Sequence, residues 1–156
     1  MFTSQSLRAV VRPGALAVRE QRLDDVVHHI ELRGTLDEAN APEMARRVDA
    51  ALASGVRWLI VDMAETANVS DGALNALVAT ARELRTRRGE LIVAGAARDV
   101  AERIGGHDVA HRPALAANVD QAIMILKMLR PKTAVSRPKQ RITSLTLPRI
   151  EPRGSA

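Results

Sequence analysis

The residues with the clearest chemical potential lie together at Ser70-Asp71-Gly72, where a polar turn gives way to a helical pattern. A serine hydroxyl at the start of a helix can accept a phosphoryl group, because the positive end of the helix dipole stabilises the added charge. The same hydroxyl can instead cap the helix by accepting a backbone N–H from the first turn. Asp71 is an ordinary first-turn acid, which the helix dipole favours. Gly72 would admit close approach of a partner's backbone.

The histidines and the glycine pair do not predict a metal or phosphate site. His28 and His29 are adjacent in a predicted strand, so their rings point to opposite faces and cannot chelate one ion. His107 and His111 lie in an irregular segment of a chain that has no cysteine. Gly105-Gly106 lacks the lysine and spacing of a phosphate-binding loop and indicates a helix end. We therefore expect no metal, no cofactor and no enzymatic activity.

Charge is distributed unevenly along the 156 residues. Residues 1–130 carry equal numbers of acidic and basic side chains, so the net charge of +5 belongs to residues 131–156. We predict a loose leader at 1–14, one folded domain at 15–130 and a basic disordered tail at 131–156. The neutral domain offers no electrostatic footprint for direct binding of nucleic acid. No apolar run is long enough to span a bilayer, so we expect a cytoplasmic protein.

Hydrophobic periodicity predicts how the Ser70 region is held in place. A buried strand at 56–62 precedes it and a strand at 90–94 follows its helix, which predicts a parallel crossover unit. The remaining elements complete an α/β fold with a mixed four- to five-stranded sheet packed by about four helices, largely on one face. The predicted elements are strands at 15–19, 26–33, 56–62 and 90–94, an edge strand near 109–112, and helices at 40–55, 70–88, 97–104 and 119–130.

Two motifs carry a resemblance to a known family. The first is Leu32-Arg33-Gly34-Thr35-Leu36-Asp37-Glu38-Ala39-Asn40-Ala41-Pro42, which resembles the Gly-Glu-Leu-Asp…Ala-Pro signature of STAS domains. The second runs from Val61-Asp62-Met63 to Val69-Ser70-Asp71-Gly72-Ala73-Leu74 and resembles the strand, turn and helix that carry the family's phosphorylatable serine. The agreement in element order extends from about residue 16 to residue 129. The chain is thus identified as similar to bacterial anti-sigma-factor antagonists.

The resemblance implies a regulator that binds an anti-sigma factor, which in this family is often a serine kinase. It places the partner-binding surface at Asp37, Ser70, Asp71, Gly72 and Ala73. This chain departs from the family at the decisive positions, because Asp71 and Gly72 stand where the family has hydroxyl side chains. We therefore expect no phosphorylation at the usual position, and Ser70 is the remaining candidate phosphoacceptor. The resemblance also offers a second reading of Asp71, as a fixed negative charge in place of phosphoserine.

A second function is compatible with the same resemblance. A STAS subunit of a lipid-transport ATPase complex would dock on the ATPase without needing a phosphoserine.

Overall fold

The computed structural model describes residues 15–130. The predicted leader at 1–14 and tail at 131–156 lie outside the described residues. Within them, five strands alternate with four helices and one short 3₁₀ turn. The elements are β1 (Leu16–Asp24), β2 (Val27–Thr35), α1 (Ala41–Ala53), β3 (Trp58–Ala67), α2 (Asp71–Thr86), β4 (Glu90–Ala94), α3 (Arg98–Gly105), the 3₁₀ turn (Val109–His111), β5 (Ala114–Ala116) and α4 (Val119–Leu129).

The five strands form one sheet in the order β1-β2-β3-β4-β5. β1 pairs with β2 in antiparallel fashion, and the other three pairings are parallel. β3 is therefore the central strand, and the prediction of a mixed α/β sheet is confirmed. Because β2, β3 and β4 are parallel, their carboxyl ends meet at one edge of the sheet, where loops leading into α1, α2 and α3 begin.

The core lies between one face of this sheet and the first three helices. Alternate residues of β2, β3 and β4 point to this face, and the inner stripes of α1, α2 and α3 cover them in a single cluster. Its largest fully buried members are aliphatic, as expected for a chain with one tryptophan and one phenylalanine. They include Ile30, Leu32, Met44, Leu59, Met63, Leu77, Leu84, Leu91 and Ile104.

Three elements differ from the sequence prediction by more than two residues. The edge strand expected near 109–112 lies instead at Ala114–Ala116, and Val109–His111 forms a 3₁₀ turn. β1 and β3 extend several residues beyond their predicted ends. The extension of β1 is largely polar and exposed, and the extension of β3 mixes buried Met63 and Thr66 with exposed residues, so hydrophobic periodicity misses both. Backbone pairing with β2 orders the two extensions. In β3 the extension follows a register shift opposite Glu31 and Arg33.

The described residues belong to two units, one that ends at Ile125 and one that begins at Leu126. The candidate site described below belongs entirely to the first unit. Of the second unit the structure describes only residues 126–130, which continue α4 and end it. None of the helices within residues 15–130 has the length and apolar character that crossing a membrane requires.

Candidate functional site

The site is built where β2 and β3 end side by side. The backbone N–H of Leu36 donates to the carbonyl of Ala67 over 3.3 Å, and the N–H of Ser70 donates to the carbonyl of Leu36 over 2.9 Å. These two bonds tie the loop after β2 to the loop after β3. Asn68 turns the second loop with a φ of 52°, a left-handed conformation that asparagine tolerates better than most residues. The first turn of α2 is thereby held against the Asp37–Glu38 turn.

Ser70 caps helix α2. Its backbone is extended, with φ −78° and ψ 163°, and its Oγ accepts a hydrogen bond from the N–H of Ala73. The bond is 3.1 Å long and satisfies one of the four backbone donors that a helix start leaves unpaired. The capping role of Ser70 is therefore visible in the geometry. The side chain is half-buried.

A second acceptor for the start of α2 comes from a distant part of the chain. The N–H of Gly72 donates to Glu38 Oε2 over 3.1 Å. A Cβ atom placed on Gly72 would lie 2.7 Å from Glu38 Cδ and closer still to the carboxylate oxygens. Glycine at position 72 therefore leaves the space that the Glu38 carboxylate fills.

Asp71 projects into solvent but does not stand alone. Its carboxyl group is 91% exposed, and Oδ1 accepts a hydrogen bond of 2.7 Å from Arg103 Nη2. Arg103 lies on α3, and its Nη1 donates to the carbonyl of Val69 over 3.0 Å. One guanidinium thus joins α3 to both the loop before α2 and the first residue of α2. Its positive charge offsets the negative charge of Asp71.

The other two residues expected at the interface have structural roles. Asp37 Oδ1 accepts hydrogen bonds from the N–H groups of Ala39 and Asn40, both 3.1 Å long, and so holds the turn that leads into α1. Ala73 is fully buried in the core cluster. Its methyl group therefore offers no surface to a partner, and we leave Ala73 out of the interface proposed below.

Asn40 occupies the N-cap position of α1, but its side chain makes no capping bond. Its Nδ2 donates instead to the carbonyl of Thr35 over 2.9 Å. Pro42 lies in the first turn of α1, where its missing N–H costs nothing. Asn40 thus fastens the β2–α1 turn to the end of β2.

Glu38 and Arg103 are the residues of the site that the sequence did not single out. Glu38 reads as an ordinary acid in a turn, and Arg103 as a solvated position near the end of a short helix. Their contacts with Gly72 and Asp71 span 34 and 32 residues of sequence. The sequence feature that could have indicated the Glu38 contact is Gly72, because a glycine in the first turn of a helix allows another group to approach its backbone closely.

An electrostatic network anchors α1 to β1. Arg47 is hydrogen-bonded to both Glu43 and Glu20, and Glu20 also contacts His28 Nε2 at 2.9 Å. Burial raises the pKa of Glu20, but hydrogen bonds from Arg47 and His28 outweigh it and hold the pKa below its usual value. The hydrogen bond from Arg47 likewise lowers the pKa of Glu43, and the two carboxylates raise the pKa of Arg47.

Residues that could hold a metal do not converge in the part of the chain that the structure describes. Among residues 15–130, no group of three or more His, Asp or Glu side chains is arranged to bind an ion. His28 and His29 take successive positions in β2, so they lie on opposite faces of the sheet. The polar groups near Ser70 are engaged with one another and with backbone amides. The geometry is that of a structured, charged surface.

The fold and the site together define a class of α/β domains. Comparison of the sequence with models of protein families identifies that class. The model of the STAS domain matches residues 19–122, which is more than half of the chain. The chain belongs to the STAS family, as the sequence motifs suggested. A search of curated protein sequences gives no match.

Solved structures agree with the fold. An anti-sigma factor antagonist from Mycobacterium paratuberculosis is 20% identical and superposes with a TM-score of 0.63 over 76% of this chain and 99% of that chain. The anti-sigma factor antagonist SpoIIAA in its unphosphorylated form is 17% identical, with a TM-score of 0.59 over 71% and 98% of the two chains. A variant of the protein RsbS from Moorella thermoacetica is 19% identical, with a TM-score of 0.60 over 72% and 96%. At these identities the likeness establishes the shared fold.

Proposed function

We propose that this protein is an anti-sigma-factor antagonist or a related STAS regulator that acts in the cytoplasm by binding an anti-sigma factor. The proposed interface is the surface at the start of α2, formed by Asp37, Glu38, Ser70, Asp71 and Gly72. Membership of the STAS family and a fold shared with anti-sigma factor antagonists support the proposal. The observation that carries it is the construction of this surface, in which two loops and the first turn of α2 are fixed together.

The surface suits recognition because it is rigid and charged. Backbone bonds hold both loops, and every acid of the surface named above except Asp71 is fixed by a bond to a backbone amide. A preorganised surface loses little conformational entropy on binding, so more of its contact energy appears as affinity. Acidic groups at its rim favour a partner that presents basic side chains.

We further propose that phosphorylation at the family's usual position does not regulate this protein. Gly72 has no hydroxyl, and the Asp71 carboxylate cannot accept a phosphoryl group as serine does. Ser70 Oγ, the remaining hydroxyl, accepts the capping bond from Ala73 and is half-buried. We infer that the partner is adapted to Asp71, so the protein is constitutively competent to bind. On that account Asp71→Ser weakens binding rather than strengthening it.

The test of this proposal is capture of the partner with the tagged full-length chain, followed by identification of the partner's class. We expect an anti-sigma factor. Recovery of a transport ATPase with its permease would contradict the proposal and favour the lipid-transport subunit instead.

A second measurement addresses regulation. The chain is incubated with the captured anti-sigma factor and ATP, and its intact mass is determined. We expect the mass of the unmodified chain, whether or not the partner is a kinase. Stoichiometric phosphate on Ser70 would show that the switch has moved to the neighbouring hydroxyl.

A further inference from the structure

Arg33, on β2, is buried although it carries a positive charge. Its exposed fraction is 7%, and it alternates with Leu32 of the core cluster, so its side chain lies on the opposite face of the sheet. Within residues 15–130, the Nε and Nη1 atoms of its guanidinium are buried and have no hydrogen-bond partner. A buried charge without a partner is destabilising, because nothing replaces its lost hydration. Arg33 therefore has unused donors that suit an anion.

Two carboxylates flank Arg33 in the sheet without satisfying these donors. Glu65 is the partner of Arg33 across the β2–β3 ladder, and it is exposed to solvent. Glu31 lies two residues earlier on the same face of β2, and its Oε1 is 3.7 Å from Arg19 Nη1 on β1. The neighbour of Arg33 across the β1–β2 ladder is Ala17, which brings no charge. The sheet around Arg33 thus leaves its buried nitrogens for another acceptor.

A cleft between β1 and β2 lies beside this position. Its volume is about 260 Å³, and its lining residues are Arg19, Glu20, Gln21, His29 and Glu31. Glu31 is the residue next to Arg33 on this face of β2, about 7 Å away along the strand. His29 adds a buried Nε2 atom that also has no hydrogen-bond partner in the described part of the chain. A cleft of this size suits a small ligand.

We propose that Arg33 binds the carboxylate or phosphate group of a small anionic ligand that enters through the cleft between β1 and β2. A guanidinium presents paired donors that match the geometry of both groups, and hydrogen bonds between ionised partners are the short and strong ones. Burial strengthens the attraction, because little water screens it. Arg19 offsets the charge of Glu31, which would otherwise repel the anion. The site uses none of the residues of the proposed partner interface, and it does not rest on the proposed function.

The test is a titration of the full chain with sodium phosphate and, separately, with sodium acetate. Sodium chloride keeps the ionic strength constant, so that general screening does not change. We expect a saturable shift of the Arg33 Nε–H resonance in NMR spectra and a rise in melting temperature with at least one of the two anions. The anion that acts identifies the group that the site takes. No saturable response to either anion would overturn the proposal.

Arg33→Met assigns the response to this residue. The variant keeps an apolar side chain of similar length and loses the donors, so the response to the anion should disappear. In chloride buffer it should melt no lower than the wild type, because it also removes an unpaired buried charge. Arg98→Met is the matched control, since Arg98 is 93% exposed on α3 and should leave the response unchanged. An equal response in Arg33→Met and the wild type would contradict the assignment.

Arg33→Lys keeps the positive charge and loses the paired donors of the guanidinium. Its response to the anion should be weaker than that of the wild type, and an equal response would overturn the role of the guanidinium. This variant keeps the test decisive if Arg33→Met does not fold.

A double-mutant cycle distinguishes this account from internal pairing between Arg33 and Glu65. Glu65→Gln is introduced into the wild type and into Arg33→Met, and the melting temperatures are compared in chloride buffer. We expect the same small change in both backgrounds, because the two side chains do not depend on each other. A loss of stability in the wild type that disappears in Arg33→Met would show that Glu65 satisfies Arg33 within the fold, and the anion site would then be wrong.

Discussion

Replacing Arg103 by alanine should cost more stability than removing its exposed partner Asp71. The Arg103 side chain is 33% exposed and donates two hydrogen bonds, one to the Asp71 carboxylate at 2.7 Å and one to the Val69 carbonyl at 3.0 Å, and it makes a longer ion pair with Asp99 at 3.8 Å. An exposed ion pair contributes about 0.2–1 kcal/mol. A hydrogen bond from a charged donor contributes about 1.5–3 kcal/mol when shielded, and partial exposure favours the lower end. Arg103→Ala should therefore lower the free energy of unfolding by about 2 kcal/mol.

Asp71→Ala should lower the free energy of unfolding by about 1 kcal/mol, because the ion pair and the interaction with the helix dipole are both lost. The coupling between the two residues, obtained from the double mutant, should stay below about 1 kcal/mol and shrink in high salt. The assay is urea denaturation of the four proteins at low and high salt. Arg98→Ala is the matched control, because Arg98 lies on the same helix, is 93% exposed and contacts Glu102 at 3.4 Å. It should change stability by less than about 0.5 kcal/mol.

A coupling energy above about 2 kcal/mol, unchanged by salt, would refute this reasoning, because an exposed, screened pair cannot supply it. It would mean that the Asp71 charge is held rigidly and desolvated. The idea that Arg103 acts mainly through the Val69 carbonyl would then be wrong.

Three further outcomes follow from the structure. Leu77→Ala, at a fully buried position of α2, should destabilise the protein by about 2–5 kcal/mol in urea denaturation, whereas Asn75→Ala on the exposed side should stay within about 0.5 kcal/mol. Ser70→Ala should cost about 1 kcal/mol through loss of the cap, and an unchanged urea midpoint would contradict the capping role. Glu20 has a pKa held below its ordinary value of 4.5, so its contribution is present above that pH and is lost as the pH falls through the lowered pKa. The melting temperature of Glu20→Gln should therefore lie below that of the wild type at neutral pH and converge with it in acid; a gap that persists in strong acid would refute the assignment.

The sequence predicted the central elements because their signals are local. The apolar run of β3 and the inner stripe of α2 have the periodicity of buried structure, and the capping serine has a definite chemical preference. The fifth strand was misplaced because Ala114–Ala116 is only three residues long and carries no alternation. The extensions of β1 and β3 were missed because neither has a regular apolar alternation, and backbone pairing with β2 orders them.

The candidate site was predicted only in part, for a related reason. The side chains of Ser70 and Asp37 bond to backbone amides only a few residues away, so turn and capping preferences predict their positions. Glu38 and Arg103 contact residues that lie more than 30 positions away in the sequence. The sequence alone does not reveal which residues so far apart come close in space. Ala73 was assigned to the surface by its neighbourhood in the motif, whereas helical geometry turns it into the core.

The measurement that tests the central claim most directly is the affinity of the chain for its captured anti-sigma factor, compared between two charge reversals. Asp71→Lys reverses a charge at the start of α2, and Asp49→Lys makes the same change at an exposed position well inside α1. Calorimetric titration should show binding by the wild type and by Asp49→Lys, and a loss of at least about tenfold, or about 1.4 kcal/mol, in Asp71→Lys. Equal affinities for the two variants would contradict an interface at the start of α2.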